Sequence, residues 1–176
     1  MIKSKALFLD RDGVINRDNA YVHKKEDFLF LDGIFELVRE AKAQNYLVII
    51  VTNQAGIGRG LYSEEDFINL MDWVKNKFAE NNTFIDDIYF CPYHAHHGKG
   101  TYKKDSYMRK PNPGMIFKAA EQHNVNLKKS IMIGDNISDI KAGQNAGVGI
   151  NILFNQKLVY KNIKKIKNIK EAIKYL

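Results

Sequence analysis

Residues 6–15 read ALFLDRDGVI: four apolar residues, then two aspartates one residue apart, then a glycine. An apolar run this short, bounded by polar residues, reads as a buried strand. In an extended chain, side chains at i and i+2 share a face, so Asp10 and Asp12 lean toward one point at the strand's end. Like charges held that close repel one another unless a cation compensates. With carboxylate oxygens as the ligands, the natural cation is a hard divalent metal.

Working outward, apolar runs of the same kind recur at 46–51 (YLVIIV), 87–90 (DIYF), 130–134 (SIMIG) and 148–154 (VGINILF). Between them lie helical patterns: GIFELVREAKAQN from 33, SEEDFINLMDWVKNKFAEN from 63 and PGMIFKAAEQHN from 113. Ser63 and Asp66 have the spacing of a capping box. Strands alternating with helices predict an α/β fold, a doubly wound parallel sheet covered on both faces, with the ligand site at the carboxyl ends of the strands. Asp10 and Asp12 follow the first strand, Thr52 and Asn53 end the second, Lys110 precedes a helix that starts on proline, and Asp135 follows SIMIG. All are expected at one rim. The interval between Asp12 and Lys110 already holds two strands and two helices, so no separate cap domain is expected. Substrate selection then falls to the loops at 16–22, 53–60 and 92–109.

At 176 residues, 45% hydrophobic and 27% charged, the chain has the size and composition of one globular domain, 1–176, folded throughout. The first apolar run is stopped by Asp10, too early for a signal-peptide core or a membrane span, and Cys91 is the single cysteine. A cytoplasmic protein without membrane contact is expected. The net charge of +7 is concentrated in the tail KLVYKNIKKIKNIKEAIKYL, where lysines alternate with isoleucines. That pattern reads as an amphipathic final strand and helix with a solvated face; it lacks the aromatic platform of a nucleic-acid surface. The glycines Gly56, Gly58 and Gly60 read as loop glycines, because GIGRG lacks the third glycine of a dinucleotide fingerprint. The least regular stretch is the long loop CPYHAHHGKGTYKKDSYMRK, residues 91–110.

Two carboxylates, a hydroxyl, a lysine and a distant third carboxylate at one rim suit phosphoryl transfer. Asp10 can attack phosphorus and form an aspartyl-phosphate that water later hydrolyses. Asp12 can protonate the leaving alcohol and then activate that water. Magnesium, through Asp10 and Asp135, supplies positive charge, while Thr52 and Lys110 hold the phosphoryl oxygens. An EF-hand reading of Asp-x-Asp-Gly fails, because Tyr21 occupies the twelfth loop position where glutamate is required. A phospho-accepting receiver-type signalling module fits less well: neither YLVIIVTN nor DDIYFCPY ends in the aspartate it would need.

LDRDGVI, VTNQ, RKPNPGM and IGDNISD, in this order, resemble the four motifs of the haloacid dehalogenase superfamily of phosphatases. Within it, NRDNAYVHKKEDFLFLDG, VTNQAGIGRG and CPYH with RKPNPGM are similar to the D-glycero-D-manno-heptose 1,7-bisphosphate 7-phosphatases and the related histidinol-phosphatases. The resemblance implies Asp10 as nucleophile and magnesium ligand, Asp12 as acid/base whose carbonyl also meets the metal, and Asp135 as third ligand. It implies Asn136 and Asp139 in the metal shell, with Asn136 standing where lysine is frequent. Asp18, Asn19, Ala20, Tyr21, Asn53, Gln54, Ala55 and Arg109 would meet a small sugar phosphate and its second phosphate. The family commonly clamps its long loop with zinc through Cys-x-His and Cys-x-Cys. Here those positions read Cys91, Tyr93, Ser106 and Met108, so zinc is expected to be absent and His94, His96 and His97 to be solvated. A monomer is expected.

Overall fold

The structure, a computed structural model, describes residues 3–154 and 163–176. The opening run forms β1 (Lys5–Leu9), followed by β2 (Tyr46–Asn53), β3 (Asp87–Cys91), β4 (Ile131–Gly134), β5 (Ile150–Leu153) and β6 (Lys164–Lys165). All pair in parallel in the order β3-β2-β1-β4-β5-β6, so β1 is central and the chain winds outward from it in both directions.

Both faces of this sheet are buried, which is why its strands read as continuous apolar runs. Leu7 and Leu9 face one core with Val48, Ile50, Ile131 and Ile133, covered by α1 (Ile34–Ala43) and α3 (Glu64–Glu80). Ala6 and Phe8 face the other with Ile49, Val51 and Met132, covered by α4 (Gly114–Gln122) and α5 (Ile137–Ala146). The Ser63–Asp66 capping box starts α3: Asp66 N donates to Ser63 Oγ at 3.0 Å and Ser63 N to Asp66 Oδ2 at 2.8 Å.

The structure departs from the sequence reading at several elements, α5 among them, since the sequence reading gives no helix after SIMIG. Gly56 and Gly58 are not in a loop; they lie in α2 (Ala55–Arg59), which Gly60 ends at φ +74°. Each sits where a side chain would collide, since a Cβ at Gly56 would fall 2.2 Å from Tyr62 Cε1 and one at Gly58 2.4 Å from the Pro92 carbonyl. The long loop also contains a 3-10 turn, Gly100–Tyr102. In the tail, residues 157–162 lie outside the described residues. Beyond them β6 is two residues long and a 3-10 helix spans Ile169–Tyr175. Ile166, Ile169 and Ala172 are buried there and Lys164, Lys165 and Lys167 are exposed, an amphipathic pattern as expected. Among the described residues no helix is long and apolar enough to cross a membrane.

Candidate active site

The winding reverses direction between β1 and β4, and a crevice opens there at the strands' carboxyl ends. Asp10 is the first residue beyond β1 and Asp135 the first beyond β4. Ligand oxygens of Asp10, Asp135 and Asp139 lie within 4.8 Å of one another, the single such acidic, histidine or cysteine group among the described residues. Two glycines admit this crowding. A Cβ at Gly13, where φ is +81°, would fall 2.2 Å from Asp135 Oδ2, and one at Gly134 would fall 2.1 Å from Asp139 Cβ.

Lys110 is buried at the centre. Its Nζ lies 2.8 Å from Asp10 Oδ1 and 2.7 Å from Asp139 Oδ1, and donates to the Val51 carbonyl at 2.8 Å. Burial acts to strip its proton, but Asp10 and Asp139 outweigh that and raise its pKa. One ammonium does not balance three carboxylates. Burial and then Asp139 push Asp10 up to about 8 despite Lys110, and burial with Asp139 and Asp18 pushes Asp135 to about 7. An all-oxygen donor set with excess negative charge fits a hard divalent cation.

The Asp12 carboxylate lies outside that cluster. Arg11, fully buried, forks onto it with Nη2 at 2.7 Å from both oxygens and Nε at 3.1 Å from Oδ2, while Asn16 Nδ2 donates to Oδ1 at 3.0 Å. Gln54 Nε2 donates to Asp12 Oδ2 at 3.2 Å and to Thr52 Oγ1 at 2.9 Å. The Gln54 side chain is therefore committed to Asp12 and Thr52. Asn136 is committed likewise: its Oδ1 accepts from Ser138 N and its N donates to Asp139 Oδ2, capping α5.

A cavity of about 240 Å³ is lined by Asp10, Thr52, Asn53, Arg109, Lys110 and Asp135, among others. Asp12, Asp18 and Asn53 also line an adjoining one of about 320 Å³, which reaches Ala20, Tyr21, Gln54 and Ala55. Asn19 is exposed and lines neither. Ala20 and Tyr21 both take left-handed backbone, φ 55° and 56°, and the Arg59 guanidinium lies 5.5 Å from the Tyr21 ring centroid. The Asn53 side chain exchanges two 3.0 Å hydrogen bonds with the Lys110 backbone, fastening the long loop to β2. Arg109 Nη1 donates to the Tyr93 carbonyl at 3.2 Å.

Cys91 is buried within an apolar cluster against which Tyr93 and Met108 pack, and burial pushes its thiol up. His94 Nδ1 accepts the amides of His96 and His97, each at 3.2 Å, and its ring lies 4.6 Å from that of His97. Arg11, Asn16 and Tyr62 are site-adjacent residues that the sequence reading did not single out. Arg11 carried a signal, a cation between two aspartates directly after a buried strand; Tyr62 carried none.

Fold and site together define a phosphohydrolase of the haloacid dehalogenase type. A family model described as HAD-hydrolase-like matches residues 107–152. The chain is 59% identical over 153 residues (87% of this chain, 81% of the relative) to the D-glycero-alpha-D-manno-heptose-1,7-bisphosphate 7-phosphatase of Burkholderia mallei. It is 48% identical over 175 residues (99% and 96%) to the enzyme of that name from Campylobacter jejuni. Among solved structures, the D,D-heptose 1,7-bisphosphate phosphatase of B. bronchiseptica, complexed with magnesium and phosphate, matches with TM-score 0.83 at 25% identity, covering 97% of each chain. A HAD-like phosphatase of Mesorhizobium loti matches with TM-score 0.90 at 30% identity, covering 98% of this chain and 87% of that one. The chain belongs to the family of D-glycero-D-manno-heptose-1,7-bisphosphate 7-phosphatases.

Proposed function

We propose that this chain is a magnesium-dependent phosphomonoesterase that releases the C7 phosphate of D-glycero-D-manno-heptose 1,7-bisphosphate and leaves the C1 phosphate in place. The observation that carries the reading is Lys110 clamped between Asp10 and Asp139 beside Asp135, in a cavity that also holds Arg109. When bound between Asp10 and Asp135, magnesium supplies positive charge against the phosphoryl oxygens.

An Asp10 oxygen attacks phosphorus, the bond from phosphorus to the C7 oxygen breaks, and Asp12 delivers its proton to that oxygen. Asp12 then takes a proton from water as the water oxygen attacks phosphorus, freeing inorganic phosphate and the Asp10 carboxylate. Thr52 donates to a phosphoryl oxygen, and the Lys110 ammonium, its three donors placed on Asp10, Asp139 and the Val51 carbonyl, supplies positive charge beside it. Asp18, Asn19, Ala20, Tyr21, Asn53, Gln54 and Ala55 border the sugar, by backbone or side chain, and Arg109 takes the second phosphate. A cation at 109 favours a doubly anionic substrate over histidinol phosphate, whose far end is an ammonium.

In this reading the enzyme is one catalytic domain, monomeric and cytoplasmic. Its long loop is held without zinc by the apolar packing of Cys91, Tyr93 and Met108 and by the Asn53–Lys110 and Arg109–Tyr93 bonds. The test is a panel of both heptose bisphosphate anomers, histidinol phosphate and p-nitrophenyl phosphate with magnesium. A heptose bisphosphate should give the highest kcat/KM and yield the 1-phosphate. Preference for histidinol phosphate would reject the substrate assignment, and zinc bound one to one in the purified protein would reject the zinc-free loop.

A further inference from the structure

We propose that Tyr62 is a positioning residue: through Gln54 it fixes the direction of the hydrogen bonds that join Asp12 to Thr52, leaving the Thr52 proton free for the phosphoryl oxygens. This rests on the roles proposed above for Asp12 and Thr52.

The direction follows from counting donors. Arg11 forks onto both Asp12 oxygens and Asn16 Nδ2 donates to Oδ1, so in this arrangement both oxygens accept, and the Gln54 atom 3.2 Å from Oδ2 is the amide nitrogen. Gln54 Oε1 must then face Tyr62, whose hydroxyl donates to it at 2.5 Å. Burial pushes the Tyr62 phenol up to about 12, so it keeps that proton at neutral pH. The second amide proton goes to Thr52 Oγ1 at 2.9 Å. Thr52 therefore accepts from Gln54, and its own single proton is left for the cavity shared with Asp10 and Lys110. If the amide turned over, Gln54 would claim the Thr52 proton and repel Asp12.

Tyr62 is itself held rigidly. It is 8% exposed, its ring stacks on His23 at 4.9 Å and 4°, and Gly56 leaves the space its edge fills. Gln54 is 1% exposed, and the phenol is its one partner on the Oε1 side among the described hydrogen bonds.

The test compares Gln54→Glu, Gln54→Leu and Tyr62→Phe with the parent, using p-nitrophenyl phosphate and magnesium, with melting temperatures recorded for each. Glutamate keeps the shape but presents a second carboxylate oxygen to Asp12 and claims the Thr52 proton. Its kcat should fall on the order of a hundredfold, the loss of one aligned donor, and should partly recover at lower pH as the introduced carboxylate gains a proton. Leucine breaks the link but leaves the Thr52 proton free, so roughly tenfold is expected; Tyr62→Phe should lose about three- to tenfold, one neutral hydrogen bond. A role in packing alone predicts the reverse order, the isosteric glutamate mildest, with pH profiles parallel to the parent. That order, or a folded Tyr62→Phe with parental kcat, overturns the proposal. Asp10→Asn, run alongside, separates the two readings: its inactivity keeps the mechanism standing whatever the Gln54 series gives, and its activity removes the mechanism itself.

Discussion

Replacing Arg109 with alanine tests where substrate selection comes from. Arg109 is half-buried at the edge of the catalytic cavity. One of its five N–H donors is committed to the Tyr93 carbonyl, and among the described residues no carboxylate pairs with it. Burial lowers its pKa, with Arg59 adding to the effect, but a guanidinium keeps its charge at any working pH. In the proposed mechanism Lys110 supplies the positive charge beside the transferring phosphoryl group, so the free donors of Arg109 are available to a second anion. One charge-assisted hydrogen bond contributes about 1.5–3 kcal/mol, which at about 1.4 kcal/mol per decade is roughly a ten- to hundredfold loss in kcat/KM on the bisphosphate. Phosphate release from p-nitrophenyl phosphate, which has no second anion, should change little. Equal losses on both substrates would place Arg109 on the transferring phosphate, and no loss on either would remove the argument for a doubly anionic substrate.

Two further outcomes follow from the crowded carboxylates. Asp10 and Asp135 are raised from the ordinary 3.8 to about 8 and about 7, so the metal-free fold binds protons that the unfolded chain has released. Their contribution to stability is complete below pH 3.8 and is lost as pH rises to about 8. Magnesium should therefore stabilise more at pH 8.5 than at pH 6; at a hundredfold excess over its Kd at pH 8.5 the total stabilisation is about 2.7 kcal/mol, or roughly 5–10 °C, and at pH 6 the same magnesium concentration should give less. Thermal melts with and without magnesium at the two pH values check this, and a shift that shrinks as pH rises contradicts it. Gly13→Ala should cost roughly 1–2 kcal/mol for left-handed backbone and, by displacing Asp135, on the order of a hundredfold in kcat. Melting and turnover of that one variant measure both.

Much of the catalytic rim was legible because a parallel sheet brings the carboxyl ends of its strands together. Once ALFL, YLVIIV and SIMIG read as strands, Asp10, Thr52 and Asp135 had to meet. The Ser63–Asp66 box was legible because capping is local. Gly56 and Gly58 misled because glycine disfavours helix; their reason for being there, Tyr62 and Pro92, is a tertiary contact that no local pattern carries. The helix beginning at Ile137 has a weak apolar stripe and a glycine at 143, and its cap, Asn136 with Asp139, reads equally well as metal-shell chemistry. Arg11, Asn16 and Tyr62 act through side chains from the end of β1, its following turn and the approach to α3, so only the folded chain shows that they surround Asp12 and Gln54.

The central claim is that Asp10 carries the phosphoryl group. Asp12→Asn removes the base that activates water while keeping the nucleophile, and p-nitrophenolate leaves without an acid, so a rapid-quench reaction of this variant with magnesium and p-nitrophenyl phosphate should accumulate enzyme heavier by one phosphoryl group. Peptide mass spectrometry of the quenched protein should place it on Asp10, and the Asp10→Asn variant should show none. Label on any other residue, or parental turnover by purified Asp10→Asn, would contradict the account.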